Sequence, residues 1–180
     1  MRSATLVLIA YAVMLTLGVV WPALPLPVVY DAPPALYAVT CGYLGLTARS
    51  GAASAVIASV VTGYLADLLS GAPHGLMALT GGLVCLAAFA VQRQILVRGW
   101  ALTAGFALAT SILAGLIVLI MRSLFVGAVA GLRTELWVLL RVGFTTLVIG
   151  PVLVRLFRRI DAAFARTHRE RDHALEGLAP

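Results

Sequence analysis

Gly63-Tyr64-Leu65-Ala66-Asp67-Leu68-Leu69-Ser70-Gly71-Ala72-Pro73-His74-Gly75 places a carboxylate near the end of a hydrophobic run and follows it with a tight turn. The stretch reads as two antiparallel helices meeting at a hairpin. Upstream, Gly51, Ala55, Ser59 and Gly63 recur every four residues and lead to Asp67. Residues at that spacing share one helix face, so the helix carries a ridge of small side chains ending in its only charge. In lipid, such a ridge means close packing against another helix.

The composition says where such a hairpin belongs. Of the 180 residues 62% are hydrophobic and 11% charged, and the mean hydropathy is +1.04. Soluble domains are usually about 45 to 50% apolar, so a water-soluble domain is excluded and an integral membrane protein is expected. Long apolar runs separated by short charged or Pro-containing breaks are helical spans, because a bilayer offers no partners to exposed backbone groups and a barrel would read as short alternating segments. The expected fold is an all-α bundle of six transmembrane helices, with five as the alternative, and no separate soluble domain.

The net charge of +6 comes from arginine alone, since the chain has no lysine. Six arginines lie in the last stretch (Arg155, Arg158, Arg159, Arg166, Arg169, Arg171), where they read as an orientation signal and as contacts to anionic membrane lipids. Nucleic acid is not an expected partner, because Asp161, Glu170, Asp172 and Glu176 are mixed into the same stretch and no binding motif is present. Cys41 and Cys85 fall inside apolar runs without metal or redox spacing, and read as small packing residues.

Along the chain, Ala4 to Val20 forms a retained first span closed by Trp21. Pro22, Pro25, Pro27, Pro33 and Pro34 with Asp31 make a stiff outer segment. The second run, Ala35 to Leu46, is shorter than the about twenty residues a straight crossing needs, and a half-span is the alternative reading. Gly51 to Leu69, Gly75 to Val91, Trp100 to Met121 and Leu136 to about Leu156 follow, with a polar loop at Gln92 to Arg98 and a connection at 122–135.

With six spans, Arg2, Arg49, Arg93, Arg98 and the tail arginines share one side, against Arg122 and Arg133 on the other. The positive-inside rule then makes both termini cytoplasmic. Gly150-Pro151 predicts a kink in the last span. Residues 1–156 form the membrane domain and 157–180 a cytoplasmic tail. Leu156, Phe157, Ile160 and Phe164 at helical spacing, with Arg166 and Glu170 as an i,i+4 pair, make that tail amphipathic, suited to the inner leaflet or to a cytoplasmic protein.

Asp67 is the first candidate for chemistry, since an acid at mid-membrane costs roughly 2.5 to 3.5 kcal/mol and usually has a partner. It lies less than a turn from the outer end of its helix, so its plainest role is to fix the hairpin, ahead of partner contact and of proton or ion relay. Arg141 is the other charge inside a span, at comparable depth. An Asp67–Arg141 ion pair is expected, with snorkelling of Arg141 to the headgroups as the alternative. Ser70 and His74 do not make a nucleophile and base, because Gly71 and Pro73 put them in a turn and no third group orients the histidine. The Gly-x-Ser-x-Gly and His-Glu-x-x-His patterns are absent, so no catalytic set, metal site or cofactor is expected. His168 and His173 read as solvated. Gly105, Ala109, Ser111 and Gly115 form a second small-residue set for packing.

The pattern Gly63-x3-Asp67-x2-Ser70-Gly71-x-Pro73-x-Gly75, after an apolar glycine-led helix, resembles the signature of the rod shape-determining MreD family. Length, number of apolar runs and the basic tail are similar as well; His74, the proline-rich first outer segment and the long charged tail depart from the pattern. The resemblance implies a six-span bacterial inner-membrane protein, not an enzyme, that binds the single-span protein MreC and belongs with RodA, its partner transpeptidase and the actin-like MreB in cell-wall elongation. Asp67, Ser70, Gly71, Pro73 and Gly75 carry over as motif residues that shape the hairpin for a partner, with Gly63 leading into them.

A second resemblance is to the substrate-binding S component of energy-coupling-factor vitamin transporters, similar in size and span count and thought to share the fold. Those proteins commonly show an Ala-x3-Ala ridge on the first span, which Leu8 interrupts here between Ala4 and Ala12. Trp21, Tyr30, Asp31 and His74 are the only candidates for an outer vitamin site.

Overall fold

The computed structural model describes residues 2–21, 32–48, 51–71, 73–92, 99–125 and 131–176. Each apolar run satisfies its backbone within itself as a helix: α1 (Arg2–Val20), α2 (Leu36–Leu46), α3 (Ala52–Ser70), α4 (Leu76–Val91), α5 (Trp100–Phe125) and α6 (Leu132–Glu176). No strand occurs among the described residues. The proline-rich stretch 22–31, Arg49 and the polar loop 93–98 lie outside them, as do the side chains of Arg166 and Glu170.

Contacts close a ring that runs α1, α3, α4, α5, α6 and back to α1, and α2 stands inside it touching all five. Nine of the 11 residues of α2 are buried, so it has no solvent or lipid face of its own. At 1.5 Å per residue α2 is about 16 Å long, roughly half of a 30 Å hydrocarbon layer. Four helices are long and apolar enough to cross a membrane, within Ser3–Val20, Ala52–Ser70, Trp100–Leu124 and Arg133–Ala165, while α4 is shorter at 16 residues. The short second run is thus a half-length helix, the alternative its length allowed, and it stands at the centre of five wall helices.

Two polar clasps hold α2. At its start, the Ala35 N–H donates to Thr146 Oγ1 at 2.9 Å, Thr145 Oγ1 donates to the Ala32 carbonyl at 3.1 Å, and Ser111 Oγ donates to Thr146 Oγ1 at 3.3 Å. The threonines lie about 20 Å along α6 from its first residue, so α2 begins deep inside the bundle. At its other end, Tyr43 Oη donates to Asp161 Oδ2 at 2.7 Å and its ring packs on Phe157 with centroids 5.3 Å apart. Buried threonines elsewhere, Thr40, Thr62 and Thr80 among them, donate to the carbonyl four residues back and leave no bare hydroxyl.

The wall helices meet on small residues. On α3, Ala55, Ser59, Gly63 and Asp67 are buried as their four-residue spacing requires, while Gly51 is exposed with φ 121° just before the helix. A Cβ on Gly45 of α2 would strike the Cys85 carbonyl oxygen of α4, so only glycine fits there. On α5 the small-residue set divides. Ser111 is buried and a Cβ on Gly115 would strike the Leu139 side chain of α6, but Gly105 and Ala109 are exposed, and Thr103, Ala107, Thr110 and Ala114 complete the buried face.

The last helix is continuous from Leu132 to Glu176 through the fully buried Pro151. The boundary expected between residues 156 and 157 marks no break, because Phe157 is fully buried in the core with Leu153 and Val154. Phe157 is buried and Ile160 and Phe164 partly buried, as their spacing predicts, whereas Leu156, expected on the same face, is exposed with Arg158 and Arg159. At the same end, the Arg155 guanidinium lies 4.4 Å above the Trp100 ring, an amphipathic pair suited to a polar–apolar boundary.

Candidate functional site

A helix begins with backbone N–H groups that have no intrahelical acceptor, and α4 begins after Gly75, which has no side chain to cap them. Asp67 of α3 takes that place from across the hairpin. Its Oδ1 accepts from the Met77 N–H at 2.9 Å, and its Oδ2 from the N–H groups of Gly75 at 3.0 Å and Ala78 at 3.2 Å. The Leu76 N–H donates to the Pro73 carbonyl at 3.2 Å, and that of Leu79 to Gly75 at 2.9 Å, so the opening turn of α4 is fully accounted for. Asp67 is 2% exposed. A buried carboxylate normally carries a severe desolvation cost; here three amides and the positive end of the α4 dipole offset it.

The neighbouring motif residues make that geometry reachable. Gly63, one turn before Asp67, faces the same peptide: a Cβ there would strike the Met77 carbonyl oxygen and come within 2.7 Å of Ala78 Cα. Its missing side chain lets the start of α4 settle against α3 at the distance the carboxylate needs. Gly71 (φ 63°) and Gly75 (φ 95°) both take the left-handed conformation that reverses the chain in so few residues. Ser70 Oγ donates to the Asp67 carbonyl at 3.3 Å, and His74 is exposed on the turn. No nucleophile–base pair is formed by them. Gly71, Pro73 and His74 are the exposed tip of the hairpin.

The ion pair expected between Asp67 and Arg141 is absent. Arg141 lies on the exposed face of α6 beside Trp137 and Phe144, while the Asp67 carboxylate is turned into the hairpin. Arg122, near the end of α5, does have an acidic partner: its Nη1 is 3.6 Å from Oε1 of Glu135 in the first turn of α6. With side chains 47% and 18% exposed, that pair contributes at most about 1 kcal/mol. Reversing both charges, Asp67→Arg with Arg141→Asp, is therefore expected to lower the protein level as far as Asp67→Arg alone. Rescue in a blot of membrane fractions would restore the pair.

Next to the hairpin, at the start of α2, the helices border a half-open cavity of about 480 Å³. Its walls are apolar, and Tyr37, Ser70, Ser111, Arg122 and Glu135 bring the polar side chains. Elsewhere, Cys41 and Cys85 are free and buried; Cys41 Sγ donates to the Ser59 carbonyl at 3.5 Å, and Ser59 Oγ is buried without a partner. No group of His, Cys, Asp or Glu among the described residues is arranged to hold a metal.

Sequence reading missed Thr145, Thr146 and Tyr37. A Thr-Thr pair interrupting the apolar run from Leu136 was the available signal for the first two, since paired hydroxyls at that depth require acceptors. No family model matches the chain, and no curated protein or solved structure matches it.

Proposed function

We propose that this chain is a non-enzymatic scaffold of the bacterial cell-wall elongation machinery, resident in the cytoplasmic membrane with both termini in the cytoplasm. It maintains rod shape by binding an MreC-like single-span protein, in company with RodA, its transpeptidase and MreB. The observation that carries the reading is the use made of Asp67. Each carboxylate oxygen is engaged by the backbone at the start of α4, so the acid works as a structural pin, and Gly71, Pro73 and His74 of the hairpin tip are exposed for a partner.

The test is co-purification from membranes with a tagged single-span partner encoded beside it. Pro73→Arg with His74→Glu is expected to abolish capture at unchanged protein level, and depletion of the protein to turn rods into spheres. Normal rods on depletion would reject the reading.

The cavity beside the hairpin favours a second reading, an S component of an energy-coupling-factor transporter that presents a vitamin site to the outside. Submicromolar vitamin binding by the purified protein would select it.

A further inference from the structure

α6 packs through one side and bares the other. Gly143, Thr146 and Gly150 meet Leu108, Ser111 and Ala107 of α5. On the opposite side of the helix Trp137, Arg141, Phe144 and Val148 point outward, and the three apolar members are each more than half exposed. Their spacing of four, three and four residues is the repeat with which one helix receives another along a seam. Val152, also exposed, carries the stripe on, so it runs for about 22 Å, most of a 30 Å hydrocarbon layer.

Arg141 is the one charge in the apolar part of α6, from Leu136 to Val154, and lies about 9 Å further along the helix than Glu135. Among the described residues it has no ion pair, hydrogen bond or ring contact. The described carboxylates are already engaged: Asp67 by the start of α4, Glu135 by Arg122, and Asp161 by Tyr43 at the other end of the bundle. A charge on an apolar membrane surface is costly and calls for an opposite one. Trp137 stands one turn nearer the headgroups on the same face, in the direction that helical side chains lean, so the path from Arg141 to a lipid phosphate runs over an indole. A second copy of this chain is a poor partner as well. Twofold packing on the stripe would set Arg141 against Arg141, with no described carboxylate free to separate them.

We propose that the outward stripe of α6 receives a single transmembrane helix of a different protein, with an aspartate or glutamate in its span that pairs with Arg141. Trp137, Phe144 and Val148 supply the apolar seam. The ion pair fixes depth and register, as one polar residue in an apolar seam does. The inference rests on residence in a membrane and not on the scaffold reading, which is tested by cell shape.

Disulfide trapping in phosphatidylcholine vesicles tests it. The full chain with Phe144→Cys is reconstituted with a leucine-alanine transmembrane peptide of about 24 residues, carrying an aspartate at the depth of Arg141 and a cysteine three positions away. Cys41 and Cys85 are buried and stay out of the reaction. The aspartate peptide is expected to be trapped several-fold more than its asparagine counterpart. Trapping from Gly105→Cys, on the exposed face of α5, should show no such preference. Arg141→Gln should remove the preference, and Arg141→Glu should transfer it to a lysine peptide; Arg141 is exposed, so neither change disturbs the core. Equal trapping of the three peptides, as a guanidinium held by lipid phosphate would give, would overturn the proposal. So would a preference that survives Arg141→Gln, or dimers of the Phe144→Cys chain in place of the peptide adduct.

Discussion

Asp67→Ala is expected to be the most damaging single substitution in the bundle. It leaves the N–H groups of Gly75, Met77 and Ala78 without an acceptor in apolar surroundings, and each buried unsatisfied group costs about 1 to 3 kcal/mol. The sum is of the order of the whole stability of a small domain, about 5 to 15 kcal/mol. Thermal unfolding in detergent micelles, followed by far-ultraviolet circular dichroism, should show a large fall in midpoint or no folded protein. Asp67→Asn keeps one acceptor oxygen and turns an NH2 group towards the donors, so it should fall between the two and nearer to alanine. A midpoint for Asp67→Ala within a degree or two of the parent would show that the carboxylate does not hold the start of α4.

Gly63→Ala comes next. The added Cβ overlaps the Met77 carbonyl, a backbone atom that cannot rotate away, so the first turn of α4 has to move off α3. Overpacking typically costs about 1 to 3 kcal/mol, and here the displacement also stretches the three bonds to Asp67. The two substitutions act on one peptide, so the Gly63→Ala/Asp67→Ala double variant should lose clearly less than the two single losses combined. Gly18→Ala, with open space around it, is the control and should leave the midpoint unchanged. Strict additivity of Gly63→Ala with Asp67→Ala would separate the glycine from the cap.

The hairpin was legible because its chemistry is local. A glycine one turn before an acid, then two glycines in a short turn, is a pattern whose partners lie within 15 residues of one another: the Ala78 N–H that Asp67 receives is 11 positions away. Arg141 shows where that kind of reading stops. Its depth along α6 could be counted, but the face it takes depends on which helices surround α6. Its neighbours Trp137, Phe144 and Val148 were a usable sign of an outward stripe, since bulky apolar residues at three- and four-residue spacing are what a lipid-facing surface carries. On α5 the small-residue set held at Ser111 and Gly115 and failed at Gly105 and Ala109; the rest of the buried stripe is threonine and alanine, with the Thr103 and Thr110 hydroxyls bonded back to carbonyls three and four residues earlier. The short length of the second run was visible in the sequence. That it stands at the centre of a five-helix ring was not, because the residues fixing its start belong to α6.

That arrangement has a consequence for biosynthesis. Thr146, which receives the Ala35 N–H, lies 111 residues downstream of it. While the ribosome is still making α3, α4 and α5, the start of the central helix has no permanent acceptor. It takes its final seat only when α6 arrives and closes the wall, so a nascent chain stopped before Thr145 would leave the middle of the molecule unlatched.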